Sequence, residues 1–262
     1  IRWYAERDIP VEVNDSHQWS LRNAHDAVAV AAAYIAAYNA KALGVKIYVS
    51  QYMLNTPPGT AAAMDIAKML AKIELIEGLH DAGFTSFREV RTGLRSMPAD
   101  MNRAKGHLAA SVAFGAALAP QIVHVVAYCE AMRAAGAEEI IESCRIARGA
   151  IDLALGELPD PAGDERVAVR TKRLVDEAGR IIAAIRGLSR GGGADPLTDP
   201  ATLSRAVREG ILDAPDLAGS GVAPGRVVTA PVDGGYEAID PATGEALGEE
   251  ARLRSIIGEI ES

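Results

Sequence analysis

The sequence is short of cysteine, aromatic residues and long apolar runs. It contains two cysteines, Cys129 and Cys144, and aromatic side chains make up 5% of its residues. Two cysteines without a second pair do not make a zinc site, and reduced cytoplasmic thiols are the simplest interpretation. No segment reaches the ~18 consecutive apolar residues of a membrane span, and the start of the sequence lacks the charged and apolar regions of a signal peptide. We therefore expect a soluble, cytoplasmic protein.

The sequence also has fewer basic residues than acidic ones. The sequence has 27 basic and 35 acidic residues, and its formal net charge is −8. Because an acidic surface repels both nucleic-acid backbones and anionic membranes, we expect neither as a partner, and a small molecule or another protein instead. The 262 residues, of which 49% are hydrophobic, suffice for a sizeable core. The sequence begins at Ile1 in what reads as the tail of a helix, which suggests a fragment or a processed chain.

Four segments repeat one pattern, a short β-branched run followed by a long amphipathic helix. The predicted strands cover residues 9–13, 45–52, 86–91 and 122–128, and the predicted helices cover residues 21–42, 60–80, 102–118 and 138–155. Units of this kind build parallel sheets whose carboxyl ends carry the chemistry. The predicted fold class is α/β, with four parallel βα units forming part of a (β/α)8 TIM-type barrel. An open four-stranded sheet is the alternative.

The pattern changes after the fourth unit. We predict a half-barrel domain over residues 1–158 and an irregular α+β extension over residues 159–262. The extension contains a predicted helix over residues 167–188, a flexible stretch that opens with Arg190 and three glycines, and a short helix over residues 200–209. A hairpin is predicted within residues 226–239, because Asp233-Gly234-Gly235 is a typical hairpin turn.

Polar residues follow the ends of all four predicted strands, where a parallel architecture would bring them to one pocket. They are Asn14, Asp15 and His17, then Gln51, Tyr52 and Asn55, then Arg91 and Arg95, and finally Tyr128 and Glu130. The two arginines suit a carboxylate or a phosphate, and Glu130 suits ribose hydroxyls.

Structural interpretations of these residues stay open. The arginines could pair with Asp100 and Glu89, Glu130 could cap the following turn, and His17 could pack on Trp19. Two further histidines, His107 and His124, fall within a predicted helix and a predicted strand, and we interpret them as satisfied core groups.

Residues 15–20, with the sequence Asp-Ser-His-Gln-Trp-Ser, are close to two known motifs. They resemble the Asp-x-His-x-x-Gly motif with which flavodoxin-like domains donate a histidine to cobalamin, although Ser20 replaces the glycine. Asn14 and His17 also resemble part of the metal-binding motif of aldolase-like barrel lyases. A divalent-metal lyase is therefore one alternative.

From about Ser20 to Glu250 the order of features resembles the large barrel subunit of the glutamate mutase (methylaspartate mutase) family. The resemblance covers most of this chain but only the C-terminal half of that subunit. Residues 55–58, with the sequence Asn-Thr-Pro-Pro, are also similar to the barrel of cobalamin- and pyridoxal-phosphate-dependent aminomutases. The segments that carry the glutamate mutase resemblance are residues 91–106 with Met97-Pro98-Ala99-Asp100, residues 123–131, residues 155–157, residues 210–215 and residues 223–226 with the hairpin.

The resemblance implies an isomerase that uses adenosylcobalamin to rearrange a carbon skeleton through radicals. It implies that Glu130 holds the ribose hydroxyls of the cofactor and that Leu94 and Met97 cover the corrin. Val126 stands where that family has a lysine for adenosine. We assign Tyr128 and Asn55 to the cofactor as well, and we assign no metal ligand. The candidate catalytic residues are Arg91, Arg95 and His17.

The same resemblance implies two protein partners. One is an N-terminal half-barrel, from the same gene or a separate chain, and the other is a flavodoxin-like cobalamin-binding subunit. The implied substrate is a small amino acid or carboxylic acid. Three alternatives remain, namely an aminomutase barrel that also uses pyridoxal phosphate, a non-catalytic half-barrel partner and the metal-dependent lyase.

Overall fold

A computed structural model describes residues 1–156, 159–189 and 193–261. The predicted domain boundary at residue 158 and the predicted flexible residues 190–192 lie outside these ranges. The first part of the chain contains α1 (Arg2–Ala5), β1 (Val11–Val13), α2 (Asp15–Leu21), α3 (Asp26–Ala42), β2 (Ile47–Leu54), α4 (Ala62–Glu77), β3 (Thr85–Thr92), α5 (Met101–Gly115), β4 (Ile122–His124) and α6 (Ala137–Leu155). The extension contains α7 (Glu165–Gly187), α8 (Pro200–Arg208), β5 (Val228–Val232), β6 (Gly235–Ile239) and α9 (Glu249–Glu261).

The first four strands form one parallel sheet in the order β1-β2-β3-β4. Val13 pairs with Ser50, Tyr52 pairs with Val90, and Arg91 pairs with His124. The predicted parallel βα units are therefore confirmed. Four strands do not close a barrel, and membership of a (β/α)8 barrel stays a prediction.

One face of the sheet is covered by helices, and the alternation along the strands explains why. Tyr48, Tyr52 and Leu54 point to the same side because they are separated by even numbers of residues. Tyr48 packs with alanines of α3, and Tyr52 and Leu54 pack with Ile66 and Met69 of α4. Strand β3 contributes Val90 to the same core. A side chain at Gly115 of α5 would strike Leu54 and Val90, so α5 lies on this face too. The opposite face of the sheet carries no helix of the four units.

The extension packs directly against the βα units. Helix α7 packs against α3 and α4, and Leu174, Ala178 and Ile181 are fully buried in the core that they share with α3. Strands β5 and β6 form an antiparallel hairpin, as predicted, and Asp233 and Gly234 adopt positive φ angles at its turn. Helix α9 was not predicted.

Three predicted elements differ from the structure. The predicted helix over residues 21–42 is two helices, because Asn23 adopts a φ of 62° and ends α2. The predicted strand over residues 122–128 ends at His124, because the chain then turns and Glu130 N–H bonds to the Ala127 carbonyl. The predicted helix over residues 60–80 begins at Ala62 and ends at Glu77, and Thr60 precedes it with its hydroxyl donating to the Pro57 carbonyl.

Both cysteines are free thiols, Cys129 buried and Cys144 exposed. In the described ranges, every helix is too short or too polar to cross a lipid bilayer.

Candidate functional site on the open sheet face

The helix-free face of the sheet, which we call the open face, carries a connected group of polar side chains. Glu12 of β1, Gln51 of β2, Glu89 and Arg91 of β3 and His124 of β4 alternate with the residues that face the helices. Below them, toward the amino ends of the strands, the same face is apolar. Val49 lies beside Phe87, and Phe87 is 40% exposed.

Gln51 is the centre of the polar group. Its Nε2 donates to Glu12 Oε1 at 2.7 Å and to Glu89 Oε1 at 2.6 Å, so both amide hydrogens are bound by carboxylates. Glu89 Oε1 is also 3.2 Å from His124 Nδ1. Burial and the nearby Glu89 carboxylate raise the pKa of Glu12 above its usual value. The hydrogen bonds therefore link side chains from all four adjacent strands.

Two buried polar atoms in this group have no hydrogen-bond partner among the described residues. One is the Gln51 Oε1, an acceptor, and the other is the Arg91 Nε, a donor. Leaving such atoms unpaired costs roughly 1–3 kcal/mol each. Unpaired polar atoms beside charged groups are expected where a ligand supplies the missing bonds.

His17 lies behind the carboxyl end of β2. Its side chain is buried, and its Nε2 donates to the Gln51 carbonyl at 2.9 Å. Burial and the positive charge of Lys72 lower the pKa of His17 to about 3, so the ring is neutral at pH 7. His17 does not pack in a loop against Trp19, as its structural interpretation supposed, and its role in this structure is to fix the end of a strand.

The two candidate arginines have different surroundings. Arg91 is half-buried and belongs to the open face. Arg95 is bound elsewhere, because its Nη1 donates to the Leu21 carbonyl and lies 3.3 Å from the Asp216 carboxylate. The pairing of these arginines with Asp100 and Glu89 is not seen, since Asp100 caps α5 by accepting from the Arg103 amide.

Among the candidate cofactor residues, Glu130 is exposed beyond the end of β4, and its Oε1 accepts from the Ala127 amide at 2.8 Å. Leu94 is half-buried in a single helical turn, whereas Met97 is buried in the core between α5 and α6. Tyr128 points into the helix layer, where its hydroxyl donates to Glu142 at 2.8 Å.

Asn55 and Tyr52 also face the helices rather than the open face. The Asn55 side chain bonds to His107 and Ser111 of α5, and its backbone amide donates to Asp65 at 2.5 Å. Tyr52 is fully buried, and burial raises the pKa of its hydroxyl. Neither residue lies with the polar group around Gln51.

The sequence interpretation missed most of this polar group. The predicted site residues stand at or beyond the strand ends, whereas Glu12, Glu89 and His124 lie within the strands. His124 was interpreted as a core group and is 45% exposed on the open face, so that interpretation is wrong. Charged or polar residues at alternate positions of the strands could have identified this group. Strands that are buried on both faces are almost entirely apolar, so such residues indicate a face that helices do not cover.

The described residues contain no group of three or more His, Cys, Asp or Glu side chains placed to hold a metal ion. No family model matches this chain, and no curated protein matches it either.

Proposed function

We propose that this chain forms one half of the barrel of an adenosylcobalamin-dependent carbon-skeleton mutase of the glutamate mutase type. The observation that carries the proposal is the arrangement of the sheet. Four parallel strands follow each other in chain order, helices cover one face, and polar side chains of all four strands meet on the other. In a (β/α)8 barrel that second face is the interior, and its upper end is the active site.

The open face supplies groups for a small polar substrate. Arg91 is the side chain that would bind a substrate carboxylate, because the residue is half-buried and its Nε has no partner within the described part of the chain. Phe87 and Val49 would form the floor of the pocket. A wall of this kind excludes water from the reacting groups once the other half of the barrel covers it.

The residues at the strand ends fit the cofactor in part. Glu130 is exposed at the rim, as an acceptor for ribose hydroxyls must be, and half-buried Leu94 offers apolar surface in the loop after β3. Met97 does not fit, because its side chain is enclosed by α5 and α6. Bound adenosylcobalamin would supply the adenosyl radical that removes a hydrogen atom from the substrate.

The flanks of the sheet support an association with another half-barrel. Each outer strand pairs on one side within the described chain, and an unpaired parallel edge needs a cover. Trp3, Tyr4 and Ile9 are exposed near β1, and Ile140 and Ile141 are exposed on α6. These apolar groups fit the neighbouring elements of a closed barrel. A flavodoxin-like cobalamin-binding subunit is the second partner that we propose.

A non-catalytic half-barrel is the second candidate function, and the contact of Glu130 favours it. Its carboxylate caps the turn at Ala127, and that contact alone would explain the residue. Substitution of Glu130 by Gln separates the two functions, because the amide oxygen can still accept from the Ala127 amide but is a weaker partner for ribose hydroxyls.

The test combines this chain with the N-terminal half-barrel, a cobalamin-binding subunit and adenosylcobalamin. We expect corrin absorbance to co-elute with the chain and glutamate mutase-type isomerisation to follow. Glu130→Gln should lower the activity at least tenfold and leave the assembly intact, whereas Glu138→Gln, at an exposed acid in the first turn of α6, should not. Corrin that elutes apart from the complete assembly would refute the mutase, and equal activity of the two variants would favour the scaffold.

A further inference from the structure

His124 contacts Glu89 on the open face. This contact has no part in the proposed binding of the cofactor by Glu130 or of a substrate carboxylate by Arg91. The His124 Nδ1 lies 3.2 Å from Glu89 Oε1 across the β3–β4 pair. The Glu89 side chain is 7% exposed, whereas the His124 side chain is 45% exposed. One partner is therefore fixed in the sheet, and the other reaches into the space above it.

The chemistry of this pair determines where the hydrogen lies on the imidazole. A carboxylate only accepts hydrogen bonds, so the Nδ1 of His124 must carry the hydrogen of that bond. In the neutral ring the Nε2 is then left with its lone pair. This is the form in which histidine accepts a hydrogen bond or a proton from a ligand.

Gln51 holds the carboxylate in place. The same Oε1 of Glu89 that faces His124 also accepts from Gln51 Nε2 at 2.6 Å, and the second Gln51 hydrogen is bound by Glu12. The charged groups of the open face around His124 are Glu12 from β1 and Glu89 and Arg91 from β3. No helix of the four units packs on this face.

We propose that Glu89 is a positioning residue that holds His124 in its Nδ1–H tautomer, so that Nε2 accepts a hydrogen bond from a donor group of the ligand. The buried Gln51 Oε1, which has no hydrogen-bond partner among the residues that the structure describes, is a second acceptor on the same face. The contact with the ligand rests on the proposed function, whereas the tautomer does not.

The tautomer is measured by nitrogen NMR on the chain labelled with 15N-histidine. The chain has five histidines, and a His124→Asn variant identifies the signals of His124. For the neutral ring, we expect the coupling pattern of Nδ1–H and unprotonated Nε2. Glu89→Met removes the acceptor at similar length, and it should shift the signals toward the Nε2–H form that predominates in free imidazole side chains.

Glu12→Gln is the matched control, because Glu12 lies on the same face and bonds to Gln51 but not to His124. It should leave the tautomer unchanged. Circular dichroism and the unfolding midpoint verify that each variant is folded. An Nε2–H signal in the unaltered chain, or the same tautomer in Glu89→Met and the unaltered chain, overturns the positioning role of Glu89.

The ligand contact is tested in the reconstituted enzyme. We expect His124→Gln to raise KM by about 10- to 100-fold, the effect of losing one hydrogen bond to a buried group, and Glu89→Met to have a smaller effect in the same direction. Unchanged KM and kcat in His124→Gln overturn the ligand contact. An assembly that fails to bind corrin refutes the proposed function instead, and the NMR result still decides the tautomer.

Discussion

The Lys68 Nζ lies 2.8 Å from Asp65 Oδ1, and neither side chain reaches solvent. Lys68 also lies 3.3 Å from Asp26, which Arg170 of α7 contacts at 2.6 Å. The ions thus join α3, α4 and α7 inside the helix layer. Burial alone would raise the pKa of Asp26, but Lys68 and Arg170 outweigh it and the pKa is lowered.

Removing the buried cation should destabilise the fold strongly. Lys68→Met leaves two buried carboxylates without their shared partner, and we expect a loss of about 3–5 kcal/mol in the free energy of unfolding. Urea denaturation at pH 7 measures it. The control is Arg254→Met, because Arg254 pairs with Glu250 on the surface and its loss should cost less than about 1 kcal/mol. Similar losses in both variants would contradict the account of the buried cluster.

Lys72 should make the free energy of unfolding depend on pH in the alkaline range. It is buried, its Nζ donates to the Ser16 hydroxyl at 3.2 Å, and burial together with the positive charge of Lys68 lowers its pKa to about 7. The unfolded chain, with the ordinary value of 10.5, binds more protons between pH 7 and 10.5, so stability should rise with pH across this range.

Lys72→Met removes this dependence and should stabilise the chain at pH 7 by about 2–4 kcal/mol. Urea denaturation at intervals between pH 7 and 9.5 is the measurement. Lys46→Met, at an exposed lysine paired with Asp8, is the matched control and should follow the unaltered chain. A Lys72→Met variant that is less stable than the unaltered chain at pH 7 would show that this lysine stabilises the core.

Glu249 should make α9 sensitive to acid. Despite its burial, contacts with His25 at 2.5 Å and with Arg252 at 2.7 Å lower its pKa to about 2. A lowered carboxyl pKa contributes stability above the ordinary value of 4.5, and this contribution is lost as pH falls from 4.5 toward 2.

At pH 7 Glu249→Gln should lose about 2–3 kcal/mol, and its stability should vary less between pH 4.5 and 2. Glu250→Gln, at the neighbouring exposed acid, should lose less than about 1 kcal/mol. Amide hydrogen exchange of α9 reports where the loss occurs. Unchanged protection of α9 in Glu249→Gln would contradict the prediction.

Substitution by alanine should have opposite effects on stability at two glycines. A Cβ at Gly93 would lie 2.0 Å from Thr56 Oγ1 and 2.7 Å from the Leu54 carbonyl, so Gly93→Ala must displace the end of β2. We expect a loss of about 1–3 kcal/mol. A Cβ at Gly106 of α5 meets nothing within 4 Å, and Gly106→Ala should gain about 0.5–1 kcal/mol. Thermal unfolding compares the two variants, and a stable Gly93→Ala protein would show that the loop after β3 can move.

The sequence sufficed for the order and direction of the sheet, because periodicity and turn residues are local signals. The break at Asn23 and the early end of β4 were not predictable in this way. A single left-handed residue ends α2, and pairing to one neighbour limits β4. Both depend on contacts far along the chain.

The candidate site was predicted less well for a related reason. Proximity to a strand end does not determine the direction of a side chain, so Tyr128 and Asn55 point into the helix layer. Arg95 is held by Asp216, which lies in the extension. Arg91 and Gln51 do lie on the open face, because the register of the parallel strands brings them to the same side of the sheet.

The hairpin completes the surroundings of Asp26. The Tyr236 amide donates to Asp26 Oδ2 at 3.1 Å, and Arg170 joins Asp26 to Glu237. During synthesis α3 and α4 leave the ribosome before Arg170 and Tyr236 have been translated. The complete set of partners around Asp26 can therefore form only after the hairpin has emerged.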